Sequence, residues 1–205
     1  MVGNDSYSAL VLNCTLKPSS SDSSSELLGQ QVLDALTSHG VSGSMIRVVD
    51  YDVHPGVETD MGGGDQWPTI RNEILATDIL VLATPTWMGQ HSSIAQRVFE
   101  RLDAELSETD EQGRPIMFGK VALAAVVGNE DGAHHITGVT YQALNEVGFT
   151  LPAQAVTYWN GEAMDSVDYK DLDETPEATA AATSTMAANA AHLARLLRQA
   201  NYPSD

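Results

Sequence analysis

The residues best equipped for chemistry lie in three loops, each following an apolar run. The first is Thr15-Leu16-Lys17-Pro18 and the serine-rich run Ser19 to Ser25. Ser23 and Glu26 have the spacing of a capping box, so the hydroxyls gather at the start of a helix. Free backbone N–H groups and the positive end of the helix dipole make such a place an anion site, and Lys17 adds charge. Phosphate is the natural anion; the plainer alternative is that the serines only cap and solvate the turn. The second loop is Pro85-Thr86-Trp87-Met88-Gly89. Proline stops a strand and glycine lets the backbone come close to a ligand. The N–H groups of Trp87 to Gly89 suit the polar edge of a ring, and Trp87 or Met88 suits its face. The third, Gly128-Asn129-Glu130-Asp131-Gly132-Ala133-His134-His135, could close the other side. Together the three loops describe a cleft for a phosphorylated flat ring.

Other chemistries find little support. His91, His134 and His135 lack a carboxylate or thiol at ligand spacing, so no metal is expected; His135 fits a contact with the ring or its side chain, or plain helix-start polarity. Cys14 is the lone cysteine, which excludes an internal disulfide, and its place at the end of an apolar strand marks a packing residue. Asp78 precedes its strand, whereas a phosphoacceptor would follow it. Ser92 and Ser93 sit in no G-x-S-x-G elbow, so no hydrolase nucleophile is evident. Gly62-Gly63-Gly64 lies in a long loop, residues 51–66, without the strand a dinucleotide fingerprint needs, and reads as a mobile flap. With 28 acidic and 10 basic residues the formal charge is −18. Such a field repels nucleic acid and phosphate-rich membranes, while solubility, a salty milieu or a basic redox partner would each account for it. No apolar run reaches membrane-spanning length, and Met1 to Asp5 does not resemble a signal peptide, so a cytoplasmic protein is expected.

The elements that must hold these loops alternate regularly. Apolar strands are predicted at Ala9–Leu12, Met45–Val49, Ile79–Ala83, Val121–Val127 and Leu151–Tyr158. Between them the periodicity predicts helices from Ser23 to Gly40, from Trp67 to Thr77, from a Ser93/Gln96 cap onward and from Ile136 to Val147. A last one runs from about Pro176 to Gln199. Five strands alternating with five helices make an α/β doubly wound, three-layer sandwich with a five-stranded parallel sheet in the order 2-1-3-4-5, one domain over residues 1–205. The switch point then falls between the first and third strands, whose carboxyl ends are the serine loop and the Pro85 turn.

The chain resembles the NAD(P)H-dependent FMN reductases and quinone oxidoreductases of the flavodoxin-like fold. The resemblance extends from Ala9 to about Leu197 and is carried by Thr15 to Ser19, Pro85 to Gly89, Gly128 to Gly132, and Tyr158-Trp159-Asn160-Gly161-Glu162-Ala163-Met164. It implies FMN, with its phosphate at Thr15, Lys17, Ser23, Ser24 and Ser25. The ring would lie at Pro85, Thr86, Trp87, Met88 and Gly89 and at Asn129, Glu130, Asp131 and Gly132. It also implies hydride transfer from NADPH or NADH through flavin N5 to a quinone or free flavin, with no catalytic side chain, in a homodimer or homotetramer. A flavodoxin-type electron carrier, docking through the acidic surface, is the alternative. The absence of a glycine between Thr15 and Ser25 departs from the T-x-T-G-x-T phosphate loop of those carriers and favours the reductases.

Overall fold

In the computed structural model, which describes residues 6–163 and 165–204, strands and helices alternate as expected, although the last strand starts at Val156 and leaves Leu151 to Ala155 of the expected run outside it. Met164 of the family-like segment and the lead Met1 to Asp5 lie outside the described residues. The order is β1 (Tyr7–Asn13), α1 (Ser24–Thr37), β2 (Val41–Arg47), α2 (Trp67–Ala76), β3 (Ile79–Trp87), β4 (Gln90–His91), α3 (Ser93–Leu102), β5 (Val121–Gly128), α4 (Ala133–Glu146), β6 (Val156–Asn160) and α5 (Glu177–Gln199). The parallel strands run β2-β1-β3-β5-β6, the expected 2-1-3-4-5 once the short β4 is set aside. β4 folds back antiparallel on the end of β3, pairing Thr86 with His91 and Trp87 with Gln90. Its cause is a tight turn at Met88 and Gly89, where φ is +52° and +73°.

Strand alternation sorts the core into two layers. Ala9 and Val11 of β1, Val81 and Ala83 of β3, and Leu123 and Ala125 of β5 pack under α1 and α5, against Leu28, Val32, Leu36, Met186 and Ala190. Leu10, Leu12, Leu80 and Leu82 point to the opposite face, onto Trp67, Ile70, Ile74, Ala95, Val98 and Leu144 of α2, α3 and α4. Strands covered on both sides read as unbroken apolar runs, and burying each Leu or Val side chain contributes roughly 1.5–3 kcal/mol. Cys14 is fully buried, and burial pushes its thiol far up, in keeping with a packing residue.

Several boundaries differ from the sequence expectation. β2 covers Val41 to Arg47, and Val48–Asp50 is a 3₁₀ turn rather than its end. As the edge strand, β2 leaves Ser42, Gly43 and Ser44 exposed, so it lacks the apolar signature of its neighbours. The helix after β4 is capped by Ser92, whose Oγ accepts from Ala95 N–H at 3.1 Å, not by Ser93. Residues 51–66 are not a loose flap. Asp65 accepts N–H bonds from His54, Met61 and Trp67 and pairs with Arg101 at 2.7 Å, both side chains fully buried. Arg101 also donates to the carbonyls of His54 and Glu58 and stacks on Trp67. Burial raises the Asp65 carboxyl, yet the Met61 N–H, the Arg101 guanidinium and the Trp67 and His54 N–H groups outweigh it and hold the group well below the usual carboxylate range.

Candidate functional site

The serine loop is built from the end of β1. Ser23 is the N-cap of α1; its Oγ accepts from Glu26 N–H at 3.3 Å and lies 3.0 Å from Ser25 Oγ. The capping box is only half made, because the Glu26 carboxylate turns to Arg47 at 2.6 Å instead of back to Ser23. Asn13, the last residue of β1 and fully buried, accepts from Thr15 N–H at 3.2 Å and from Ser25 Oγ at 2.9 Å. Thr15 Oγ1 accepts from Lys17 N–H at 3.3 Å, which continues the tight path. On the outside the loop is tied down by Ser19, which donates through both N–H and Oγ to Asp50. The first-turn N–H groups of α1 have no carbonyl to reach within the helix, so hydroxyls and N–H groups share one hollow.

The second wall is the β3–β4 turn, and the third is the loop after β5. They touch: a Cβ on Gly132, where φ is +151°, would lie 2.8 Å from Gly89 Cα and 2.9 Å from Gly89 O. Glu130 reaches across and accepts from Met88 N–H at 2.8 Å. Trp87 is half exposed and Met88 almost wholly so. Thr86 Oγ1 and Asn13 Nδ2 are buried polar atoms without hydrogen-bond partners, both at this edge of the sheet.

Between the walls lies a cavity of about 450 Å³. Ten residues singled out from the sequence line it, namely Thr15, Lys17, Ser23, Ser24, Ser25, Pro85, Thr86, Trp87, Asn129 and Glu130. Met88, Gly89, Asp131 and Gly132 do not line the cavity; they build the contact that joins its second and third walls. His135 turns away, its Nε2 lying 2.9 Å from Gln90 Oε1, and His134 packs edge-on against Tyr158.

The sequence reading missed the contribution of the acidic loop after β6. Ala163, Asp165 and Asp168 line the same cavity, and Asn129 Nδ2 donates to Asp165 O at 3.1 Å. The segment after it is anchored on α1: Lys170 N–H donates to Ser24 Oγ at 3.3 Å, and Tyr169 donates its hydroxyl to Gln31 at 2.6 Å. Of this region only Tyr158 to Met164 stood out in the sequence, as a family-like segment with no part of the cofactor assigned to it. Among the described residues no cluster of His, Cys, Asp and Glu could hold a metal ion, and no helix is long and apolar enough to cross a membrane.

The residues present fit FMN. Hydroxyls, first-turn N–H groups and Lys17 at one end suit a phosphate monoester, and Pro85, Thr86 and Trp87 supply a half-apolar slot for a ring. Thr86, whose hydroxyl is buried and without a partner, lines the same cavity.

The family model described as NADPH-dependent FMN reductase matches residues 8–165. The chain is 31% identical over 207 residues to 8-demethyl-8-aminoriboflavin-5′-phosphate synthase of Streptomyces davaonensis, covering 96% of this chain and 80% of that protein. It superimposes with a TM-score of 0.86 and 30% identity on the crystal structure of RosB with bound 8-demethyl-8-formylriboflavin-5′-phosphate, covering 96% of this chain and 82% of that one. It is also 36% identical over 201 residues to a protein of Mycobacterium bovis named divalent metal cation transporter MntH, but spans only 29% of that protein's length.

Proposed function

The chain belongs to the NADPH-dependent FMN reductase family, and from that premise we propose that it is an FMN-dependent NAD(P)H oxidoreductase delivering hydride to a small acceptor, a quinone or a free flavin. The observation that carries this reading is the convergence of the serine loop, the β3–β4 turn and the β5–α4 loop on one cavity. When bound, FMN supplies hydride acceptance and donation at N5, chemistry that needs no acid or base from the protein.

The chain's own residues bind and orient. Ser23, Ser24, Ser25, Thr15 and Lys17 hold the phosphate, so the anion sets how deep the ring sits. Thr86 meets the polar edge of the ring, and Trp87 covers part of one face. Trp87 and Met88 are exposed beside this slot, where a flat donor and then a flat acceptor would approach in turn. An anaerobic assay of NADH and NADPH oxidation with a quinone and with free flavin tests the reading. Turnover with either acceptor supports it, and none with any acceptor sinks it.

A second reading follows from the two riboflavin-phosphate relatives. The flavin itself would be the substrate, altered on its methyl-bearing ring edge rather than cycled. Mass spectrometry of the flavin recovered after turnover separates the two. An unchanged FMN mass keeps the reductase, and a changed mass moves the chain to flavin modification.

A further inference from the structure

We propose that Arg47 is a positioning residue for the phosphate loop, a role that rests on the reading of that loop as the FMN phosphate site. Arg47 ends β2, directly opposite Asn13 in the β1–β2 register, so the two residues rise from neighbouring strands under the same loop. Its side chain is 5% exposed. Nη1, with two N–H bonds, faces the main-chain carbonyls of Lys17 at 3.2 Å, Pro18 at 2.5 Å and Ser21 at 2.8 Å, so that one N–H is shared between two of them. Nη2 pairs with Glu26 in the first turn of α1 at 2.6 Å.

This arrangement solves a specific problem. A serine run without glycine has no intrinsic reason to adopt one shape, and its carbonyls would otherwise turn toward the anion as readily as its N–H groups. One guanidinium gathers the carbonyls of Lys17 and Pro18, just before the run, and of Ser21 within it, and Arg47 itself is not among the residues that line the cavity, which include Lys17 and Ser23 to Ser25. Asn13 holds the opposite end through Thr15 N–H and Ser25 Oγ. The tie to Glu26 couples the loop to the helix that supplies the dipole. A lysine could not make the same set of bonds, because only a planar fork offers separate arms to the carbonyls and to the carboxylate.

Arg47 touches neither the ring wall nor the cavity, so its effect should depend on the phosphate alone. The full-length wild type, Arg47→Met and Arg47→Lys are titrated with FMN and with riboflavin, reading flavin fluorescence, with circular dichroism as the folding control. The wild type is expected to bind FMN far more tightly than riboflavin. Arg47→Met should lose about 10–100-fold in FMN affinity with riboflavin affinity unchanged, the loss of a set of charge-assisted bonds holding the site. Arg47→Lys should recover part of the loss. If Arg47→Met does not fold, Arg47→Lys alone decides, with an FMN-to-riboflavin ratio below the wild-type value expected. A wild-type ratio in the folded variants overturns the proposal for Arg47 while leaving the phosphate site intact. Equal affinities for the two flavins in the wild type itself overturn the phosphate reading, and this proposal with it.

Discussion

The carboxylate of Glu130 accepts a hydrogen bond from the backbone N–H of Met88 at 2.8 Å, bridging the loop after β5 to the turn after β3. In this structure the carboxylate occupies that N–H and Met88 does not line the cavity; removing the carboxylate would free the turn to bring the N–H to the ring's polar edge. Glu130→Ala should therefore tighten binding of FMN and riboflavin alike, by up to about tenfold, the worth of one hydrogen bond to a charged acceptor. Fluorescence titration checks this; equal or weaker binding in the variant means that the carboxylate supports the site instead.

The serine cradle should show itself by ligand rather than by fold. Changing Ser23, Ser24 and Ser25 together to Ala should weaken FMN by about 100-fold and riboflavin by less than threefold, since only the former carries a phosphate. Loss of the Ser23 cap should cost about 1 kcal/mol of stability in thermal unfolding. Equal losses for both flavins would reduce the run to a helix cap.

Gly132 and Gly89 lie too close for any larger residue at position 132. Gly132→Ala must push the two walls apart or leave its own strained φ, at a cost of order 1–3 kcal/mol. Both flavins should then bind more weakly by a similar factor. Gly89→Val should likewise abolish binding, since its φ of +73° disfavours a β-branched residue. Tight FMN binding by Gly89→Val would remove the turn from the site.

Asp65 gives a pH prediction. Its carboxyl is depressed in the folded chain, so between its folded pKa and the unfolded value near about 4 the unfolded state binds the extra proton. Its contribution is therefore fully present above pH about 5 and is lost as pH falls through the folded pKa. Asp65→Asn should lower stability by about 3–5 kcal/mol at neutral pH, because it strands the buried Arg101. The same change should flatten the acid limb of the stability curve. Denaturant unfolding between pH 2 and pH 7 reads both, and a parallel pair of curves would contradict it.

What the sequence made legible follows from how local each signal is. β1, β3 and β5 are buried on both faces, so their apolar runs were plain, and the segments at their carboxyl ends hold the ten residues assigned to FMN that line the cavity. β2 was misplaced by several residues because an edge strand has no such run. Asp65 and Arg101 stand 36 residues apart and look like ordinary surface charges until the loop closes around them. Arg47 interrupts an apolar stretch with no local reason; its meaning depends on the register that sets it opposite Asn13. Asp165 and Asp168 were hidden by an acidic loop that reads as solvated.

The most direct test of the central claim is the visible spectrum of the purified protein with FMN, recorded anaerobically before and after NADPH, then NADH. The account predicts bound flavin bands that bleach on addition of a nicotinamide and return with quinone or free flavin. Failure of the protein to bind FMN at all, or bound bands unaffected by either nicotinamide, would contradict it.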